Sequence, residues 1–312
     1  MKENKLTGAD AVIFTEQSYP DKMGIPFISY LKEHVHLPEA ELQPKHTIAF
    51  GPGRSSSTAW ALLAASHTLS VGAMYQPLKN QKRHGPEYGD VYVPAVEGGI
   101  QQASRQGNPY WLFTKEVGGP FHDWEDIGIH EQALDPFSIW SQVGYNPNLI
   151  NGVALIRDPM QVFLSNHKFD GGISAEILAQ NYESMYALYE KYKDQFSIIP
   201  FAFDLCGEYG TEAVVNATFN ALNIPFQGLA FDQGMIQQNF IPFEAGNPVE
   251  YVEIVKPTIE HGSFGYPTKK LIMPVETEKT ALIQSQMPII SERCVPVYEW
   301  FKEESRKVLM LG

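Results

Sequence analysis

Residues 46–66, HTIAFGPGRSSSTAWALLAAS, constrain the fold of this chain more than any other segment. A short apolar run ends at a loop of small residues, and the loop opens a run that is typical of a helix. Backbone N–H groups at the start of a helix, together with the helix dipole, favour an anion at such a junction. Gly51 and Gly53 allow close backbone approach there. The segment therefore predicts a strand, an anion-binding loop and a helix, in that order.

The side chains of this loop indicate which anion it suits. Arg54 offers a planar fork that matches phosphate or sulfate. Four hydroxyl groups add donors, from Ser55, Ser56, Ser57 and Thr58. The Gly-Lys pair of a nucleotide-hydrolysing P-loop is absent, which argues against hydrolysis of ATP or GTP. Taken alone, a glycine turn with a hydroxyl-rich helix cap explains the loop equally well.

Strand-like and helix-like segments alternate along the rest of the chain. Further strands are predicted at 10–14, 110–116 and 197–203, and within the segment 151–159, whose Pro159 is expected to start a helix. Further helices are predicted at 26–37, 160–169, 175–196 and 211–224, and over a C-terminal stretch punctuated by Pro288 and Pro296. This alternation predicts an α/β fold with a parallel sheet covered by helices on both faces. Ligands of such sheets bind at the carboxyl ends of the strands, where the loop, Lys115 and Arg157 are expected to converge.

The length of 312 residues suits one large α/β domain, and we expect residues 1–312 to form it. Residues 1–45 are expected to form an N-terminal extension. The segments 76–110 and 233–270 are expected to be loop or lid excursions, because 76–110 is rich in glycine, proline and charge.

Composition narrows the range of partners. The 23 basic and 36 acidic residues give a net charge of −13, which makes the chain a poor general binder of nucleic acid. No stretch is long and apolar enough for a membrane span, and residues 1–14 lack the apolar core of a signal peptide. Cys206 and Cys294 belong to no Cys-x-x-Cys pair; buried thiols in a reducing cytoplasm are expected, and one long-range disulfide stays open. We expect a cytoplasmic protein.

A second segment, LIRDPMQVFLSNHKF, also places an arginine and a serine where a predicted strand meets a predicted helix. Arg157 ends an apolar run, and Ser165 lies eight residues later, about two turns into the predicted helix. Both side chains could reach one phosphate, from the strand end and from the helix. Taken alone, a local ion pair between Arg157 and Asp158 explains the segment at least as well.

Together, these two segments resemble the sulfotransferase family, whose members use 3′-phosphoadenosine 5′-phosphosulfate (PAPS). Residues 52–58 are similar to the family's motif for the 5′-phosphosulfate, with one inserted glycine and a serine in place of glycine. Arg157-Asp158-Pro159 with Ser165 is similar to its motif for the 3′-phosphate. The resemblance extends over about residues 46–305. It implies a P-loop NTPase-like three-layer sandwich, with PAPS as co-substrate and no metal ion.

The resemblance also implies catalytic roles. Arg54 would serve the 5′ end of the donor, and Lys115 would stabilise the leaving phosphate oxygen. The positions at which family members carry a general base hold Val117 and Gln76, which cannot accept a proton. Three other candidates for the base remain: His122, Glu116 and Asp123. His122 is preferred, because the ordinary pKa of histidine, about 6.5, suits proton removal near neutral pH.

The predicted function is transfer of a sulfuryl group from PAPS to a hydroxyl or amine of a small-molecule acceptor. The acceptor is not specified by the sequence, and a monomer and a homodimer both stay open. Nearby aromatic residues either line an acceptor pocket or belong to the core: Trp111, Phe113, Phe121, Trp124 and Trp140. Two alternatives are a P-loop kinase of small molecules and a protein that keeps the fold but either binds nucleotide without transfer or catalyses another reaction.

Overall fold

The computed structural model describes residues 13–15, 27–53, 55, 57–66, 70–75, 78, 97–101, 111–117, 132–169, 172–226, 228, 240–241 and 277–311. Within them, eight strands are numbered in chain order. These are β1 (Ile13–Thr15), β2 (Lys45–Gly51), β3 (Ser70–Tyr75), β4 (Trp111–Val117), β5 (Gln132–Leu134), β6 (Ile150–Ile156), β7 (Ser197–Ala202) and β8 (Phe240–Ile241).

Six of these strands form one parallel sheet, in the order β7-β6-β2-β4-β3-β8. Five of them are six or seven residues long, and β8 adds two residues at one edge. β1 and β5 pair in parallel as a separate two-stranded sheet. The near-continuous apolar content of β2, β6 and β7 follows from this position, because a parallel sheet is covered on both faces.

Nine α-helices that connect and flank these strands are numbered in chain order, and residues 97–101 are also helical. The numbered helices are α1 (Phe27–His34), α2 (Ser57–Ser66), α3 (Pro136–Val143), α4 (Pro159–Phe169), α5 (Ala175–Tyr192), α6 (Leu205–Tyr209), α7 (Thr211–Ala221), α8 (Thr277–Ile289) and α9 (Val295–Val308). A five-residue π-helical segment, Ile290–Cys294, joins α8 to α9.

Aromatic contacts show which helices share a face of the sheet. On one face, Trp60 of α2 packs edge-on against Phe201 of β7 and stacks on Phe219 of α7. On the other face, Phe137 of α3 meets Phe50 of β2 edge-on. α5 and α9 lie with α3, since Tyr192 of α5 contacts the Phe137 ring and the aromatic rings of α5 and α9 interlock. The result is the predicted three-layer α/β sandwich with a parallel central sheet.

The strand order creates a crevice at one point of the sheet. From β2 the chain passes through α2 to β3, on one side of β2. From β6 it passes through α4 and α5 to β7, on the opposite side. Connections that leave neighbouring strands in opposite directions open a crevice outside the carboxyl ends of those strands. That crevice lies between β2 and β6, where the two sequence motifs end.

Most of the predicted elements are confirmed, and several boundaries carry the expected caps. Pro159 begins α4, and Ser174 caps α5 by accepting a hydrogen bond from Ile177 N at 3.2 Å. The predicted interruption at Pro288 is wrong, because this proline lies inside α8. Proline removes one helical hydrogen bond, and the wider π-helical segment that follows directly lets the chain continue into α9 without a break.

Both cysteines are free thiols, buried as expected. Burial, joined by the neighbouring Asp204 carboxylate for Cys206 and Glu183 for Cys294, raises the pKa of each thiol to about 12. The first 45 residues contribute α1, whose Ile28, Tyr30 and Leu31 are buried in the core. The excursions predicted at 76–110 and 233–270 lie largely outside the described residues.

Candidate functional site

The loop after β2 begins as a tight turn. Ser55 N donates to the Pro52 carbonyl oxygen at 3.3 Å, and Ser55 Oγ donates to the same oxygen at 2.6 Å. Ser55 is fully buried, whereas Gly53 at the tip of the turn is half-buried. The Ser55 hydroxyl therefore stabilises the turn. Its hydrogen atom is used in this contact, so its oxygen can act toward a ligand only as an acceptor.

Gly51 explains why this loop needs glycine before its tip. A Cβ atom built on Gly51 would lie 2.1 Å from the Leu155 carbonyl oxygen of β6. No side chain fits against a backbone oxygen at that distance. Gly51 is expected from the sequence to let an anion approach the backbone. In the structure it lets β6 approach β2, which brings the ends of the two strands together.

Arg157 and Asp158 form the corresponding loop after β6. Arg157 Nε donates to Gln161 Oε1 at 3.0 Å, one helical turn away. Asp158 Oδ1 accepts a hydrogen bond from Gln161 N at 2.9 Å, which caps the start of α4. Gln161 thus holds the Arg157 side chain in place and closes the first turn of the helix. Ser165 is half-buried, one turn further along α4.

The register of the sheet brings these two loops together. Phe50 of β2 lies opposite Ala154 of β6, in hydrogen-bonded parallel strands. Neighbouring strands lie about 4.8 Å apart, so the Cα atoms of Gly51 and Arg157 are separated by roughly 10 Å or less. The segments predicted to bind opposite ends of one ligand therefore flank the same crevice.

Lys115 lies near the carboxyl end of β4, on the other side of β2. It pairs in register with Ala49 and is only 5% exposed. Side chains alternate between the two faces of a strand, so Lys115 shares a face with Phe113, whose ring stacks against Phe219 of α7. This is also the face that α2 covers. Lys115 is thus on the side of the sheet onto which the anion loop leads.

Glu116, a candidate base, lies on the opposite face from Lys115 by the same alternation. Its side chain is fully buried, and its Oε1 accepts a hydrogen bond from Leu78 N at 3.0 Å. A carboxylate that holds a backbone N–H is a structural acceptor. Glu116 is therefore separated by the sheet from the face that carries Lys115.

Several predicted site residues lie outside the described residues: Arg54, Ser56, His122, Asp123 and Gln76. The backbone of Ser57 and Thr58 forms the first turn of α2, as predicted, and their side chains are likewise outside the description. Three of the five aromatic residues considered for an acceptor pocket are core residues instead: Trp111, Phe113 and Trp140. The other two, Phe121 and Trp124, are not described.

Three residues that the sequence analysis missed lie beneath Arg157. Tyr182 of α5 donates its hydroxyl to the Arg157 carbonyl oxygen at 2.5 Å. Asp204, after β7, accepts a hydrogen bond from Asp158 N at 3.0 Å, and its carboxylate raises the pKa of the neighbouring Tyr298 of α9. In the sequence, both tyrosines look like core positions of amphipathic helices. No local pattern could have linked them to a loop 25 or more residues away.

The described part of the chain contains no group of three or more His, Cys, Asp or Glu side chains placed to hold a metal ion. None of its helices combines the length and apolar character needed to cross a membrane.

Comparisons with known proteins give little further information. No protein-family model matches the chain, and no curated protein matches it. Among solved structures, it is similar to the sulfotransferase domain from the Synechococcus PCC 7002 olefin synthase, with 11% sequence identity and a TM-score of 0.40. That similarity covers 80% of this chain and 97% of the cyanobacterial domain.

Proposed function

We propose that this protein transfers a sulfuryl group from PAPS to a hydroxyl or amine of a small-molecule acceptor. One observation carries the proposal: the glycine- and serine-rich loop and the Arg157 segment leave hydrogen-bonded neighbouring strands. Their sequences resemble the two halves of a PAPS site, and such a site requires both halves to reach one nucleotide. The switch point between β2 and β6 supplies that arrangement.

The proposed roles follow the positions of the residues. The loop from Gly53 to Thr58 holds the 5′-phosphosulfate, with Arg54 as its cation and the first amides of α2 as donors. Arg157 and Ser165 hold the 3′-phosphate. Arg157 starts from a fixed orientation, because Gln161 accepts a hydrogen bond from its Nε. Less conformational freedom is then lost when the phosphate binds.

The transfer itself forms one bond and breaks one. The acceptor oxygen or nitrogen attacks the sulfur atom, and the bond from sulfur to the 5′-phosphate oxygen breaks. 3′-Phosphoadenosine 5′-phosphate (PAP) leaves, and the acceptor gives its proton to a base, for which His122 is proposed. Lys115 stabilises the negative charge that develops on the leaving oxygen. A buried cation acts strongly there, because little water screens it.

Calorimetric titration with PAP, ATP–Mg²⁺ and ADP tests the donor site. We expect micromolar PAP binding that is tighter than ATP binding, and at least tenfold weaker PAP binding by Arg157→Ala. Arg306→Ala is the matched control, since Arg306 pairs with Glu208 and Glu303 on the surface of α9. Preference for ATP–Mg²⁺ would favour the kinase alternative. PAP binding without transfer to any acceptor would favour a binding protein.

A further inference from the structure

A buried group of three side chains holds the peptide that carries Arg157. The Tyr182 hydroxyl donates to the Arg157 carbonyl oxygen at 2.5 Å. The next amide, Asp158 N, donates to Asp204 Oδ2 at 3.0 Å, and the Asp204 carboxylate lies near enough to the Tyr298 phenol to raise its pKa. We call Tyr182, Asp204 and Tyr298 the Arg157 clamp. Its members come from α5, the end of β7 and α9, so it joins three separate parts of the chain.

Both tyrosines of the clamp remain hydrogen-bond donors. Tyr182 is fully buried, and Tyr298 is 5% exposed. Burial is the main cause that raises the pKa of each phenol, and the nearby carboxylates of Asp158 and Asp204 raise both pKa values further. Neither hydroxyl therefore loses its proton near neutral pH. A buried hydroxyl requires an acceptor: the Tyr182 hydroxyl has the Arg157 carbonyl oxygen, and Tyr298 lies beside the carboxylate that binds Asp158 N.

Asp204 departs from the usual role of an aspartate at its position. It immediately precedes α6, where an aspartate normally caps the helix through its carboxylate. Here the side chain makes no cap hydrogen bond to α6. Its carboxylate instead accepts a hydrogen bond from Asp158 N and lies beside the Tyr298 phenol, whose pKa it raises. The interaction with the Arg157 segment thus replaces a local contact that would stabilise α6.

The helices that supply the two tyrosines are fixed to one another. Glu183, next to Tyr182, accepts hydrogen bonds from Arg293 Nε and Nη2 at 2.8 and 2.7 Å. Arg293 lies in the π-helical segment that leads into α9, four residues before Val297 and five before Tyr298. This two-point ion pair is largely buried at Glu183, which keeps α5 and the start of α9 in a constant relation.

We infer that Tyr182 and Tyr298 are positioning residues for the anion site. They hold the peptide of Arg157 and Asp158 so that the guanidinium enters the crevice between β2 and β6 at one fixed angle. That this anion is the 3′-phosphate of PAPS rests on the proposed function. Gln161 fixes the other end of the same side chain through Arg157 Nε. Arg157 is therefore held at its backbone and at its head group, and α9 contributes to a site far from it in sequence.

The variants Tyr182→Phe and Tyr298→Phe test this role, because each removes one hydroxyl and keeps the ring. Tyr192→Phe is the matched control: it removes a hydroxyl that donates to Asp135 Oδ2 at 2.8 Å, on the same helix as Tyr182. We expect PAP to bind each clamp variant about 2- to 10-fold more weakly than wild type. The control is expected to bind PAP as wild type does, although it is also destabilised.

Hydrogen exchange of the Asp158 amide in ligand-free protein provides a readout that is independent of the donor. In both clamp variants this amide is expected to exchange faster than in Tyr192→Phe, after correction for global stability. If wild type fails to bind PAP, the proposed function fails, and the exchange data alone decide the inference. Equal exchange and equal PAP affinity in the clamp variants and the control would overturn it.

Discussion

Gly51 of β2 lies so close to Leu155 of β6 that a Cβ atom on the glycine would meet the Leu155 carbonyl oxygen at 2.1 Å. This contact joins the ends of the two strands that carry the candidate anion-binding segments. A side chain there could be accommodated only if one of the strands moved. The two segments can therefore lie this close only because residue 51 has no side chain.

Gly51→Ala is expected to lower the free energy of unfolding by about 2–4 kcal/mol, because the methyl group overlaps a backbone atom that is held in the sheet. Urea denaturation measures the change. Gly98→Ala is the matched control: Gly98 is exposed in the helical segment 97–101 and no atom lies within 4 Å of the added Cβ, so this variant should gain up to about 1 kcal/mol. Equal stability of the two variants would contradict the close contact.

Asp135 is a fully buried carboxylate with three hydrogen-bond donors around it. It accepts hydrogen bonds from Lys191 Nζ, the Tyr192 hydroxyl and Ser138 N at 2.8 to 2.9 Å. Asp135→Asn removes the charge that balances Lys191, and we expect a loss of about 2–4 kcal/mol in the free energy of unfolding.

The corresponding change on the surface should have little effect. Glu190→Gln removes one partner of the exposed Lys193–Glu190 pair, which is expected to cost no more than about 0.5 kcal/mol. Chemical denaturation of both variants, side by side, provides the comparison. A similar cost at the two positions would mean that the Asp135 network is not buried as described.

His46 makes stability depend on pH in acid. Its ring is fully buried between Trp140 and Tyr145, and burial lowers its pKa from 6.5 to about 3. Between pH 6.5 and pH 3, His46 is therefore protonated in the unfolded chain and neutral in the folded chain. The free energy of unfolding falls as the pH drops through this range. Between pH 7 and pH 5 the loss is about 2 kcal/mol.

Denaturation of wild type and His46→Gln at pH 7 and pH 5 isolates this contribution. The glutamine variant is less stable overall, because it loses the packing of the ring and the contact of Nε2 with Thr114 Oγ1. Its stability should nevertheless fall by about 2 kcal/mol less over this pH range. Identical pH dependence in the two proteins would show that His46 accepts a proton in the folded state.

Lys115 is expected to act on the transition state more than on donor binding. For Lys115→Met we predict a fall in kcat of about 10²- to 10³-fold, with the KM for PAPS changed by less than about tenfold. Lys45→Met is the control, because Lys45 lies at the opposite end of the sheet, over the Trp111 ring. If both variants lose the same activity, the effect of Lys115 is structural.

The sequence supported most of the sheet because its strands are apolar runs that end at glycine, proline or a charged residue. β3 escaped prediction, since Ser70–Tyr75 contains Gly72 and only a short apolar run. The glycine lies close to the next strand: a Cβ there would lie 3.2 Å from Leu112 Cδ1, so the leucine side chain would have to shift slightly. For α3 a local signal did exist, because Asp135 followed by Pro136 is a typical helix start.

The candidate site was predictable only in its local parts. The loop after β2 and the Arg157 segment carry recognisable residue patterns, and the rule for parallel sheets placed them at one edge. Their direct adjacency depends on strand order, which no local pattern encodes. The Arg157 clamp was hidden for the same reason, because a tyrosine on the apolar face of α5 looks like any other core residue until its hydroxyl is seen at Arg157.

The central claim, that Arg157 binds the 3′-phosphate of the donor, is tested most directly by comparing two ligands that differ only in that group. PAP and adenosine 5′-phosphate are titrated into wild type and Arg157→Ala. We predict that the substitution weakens PAP binding by about 10- to 100-fold and leaves binding of adenosine 5′-phosphate within about twofold. Equal weakening of both ligands, or of neither, would contradict the claim.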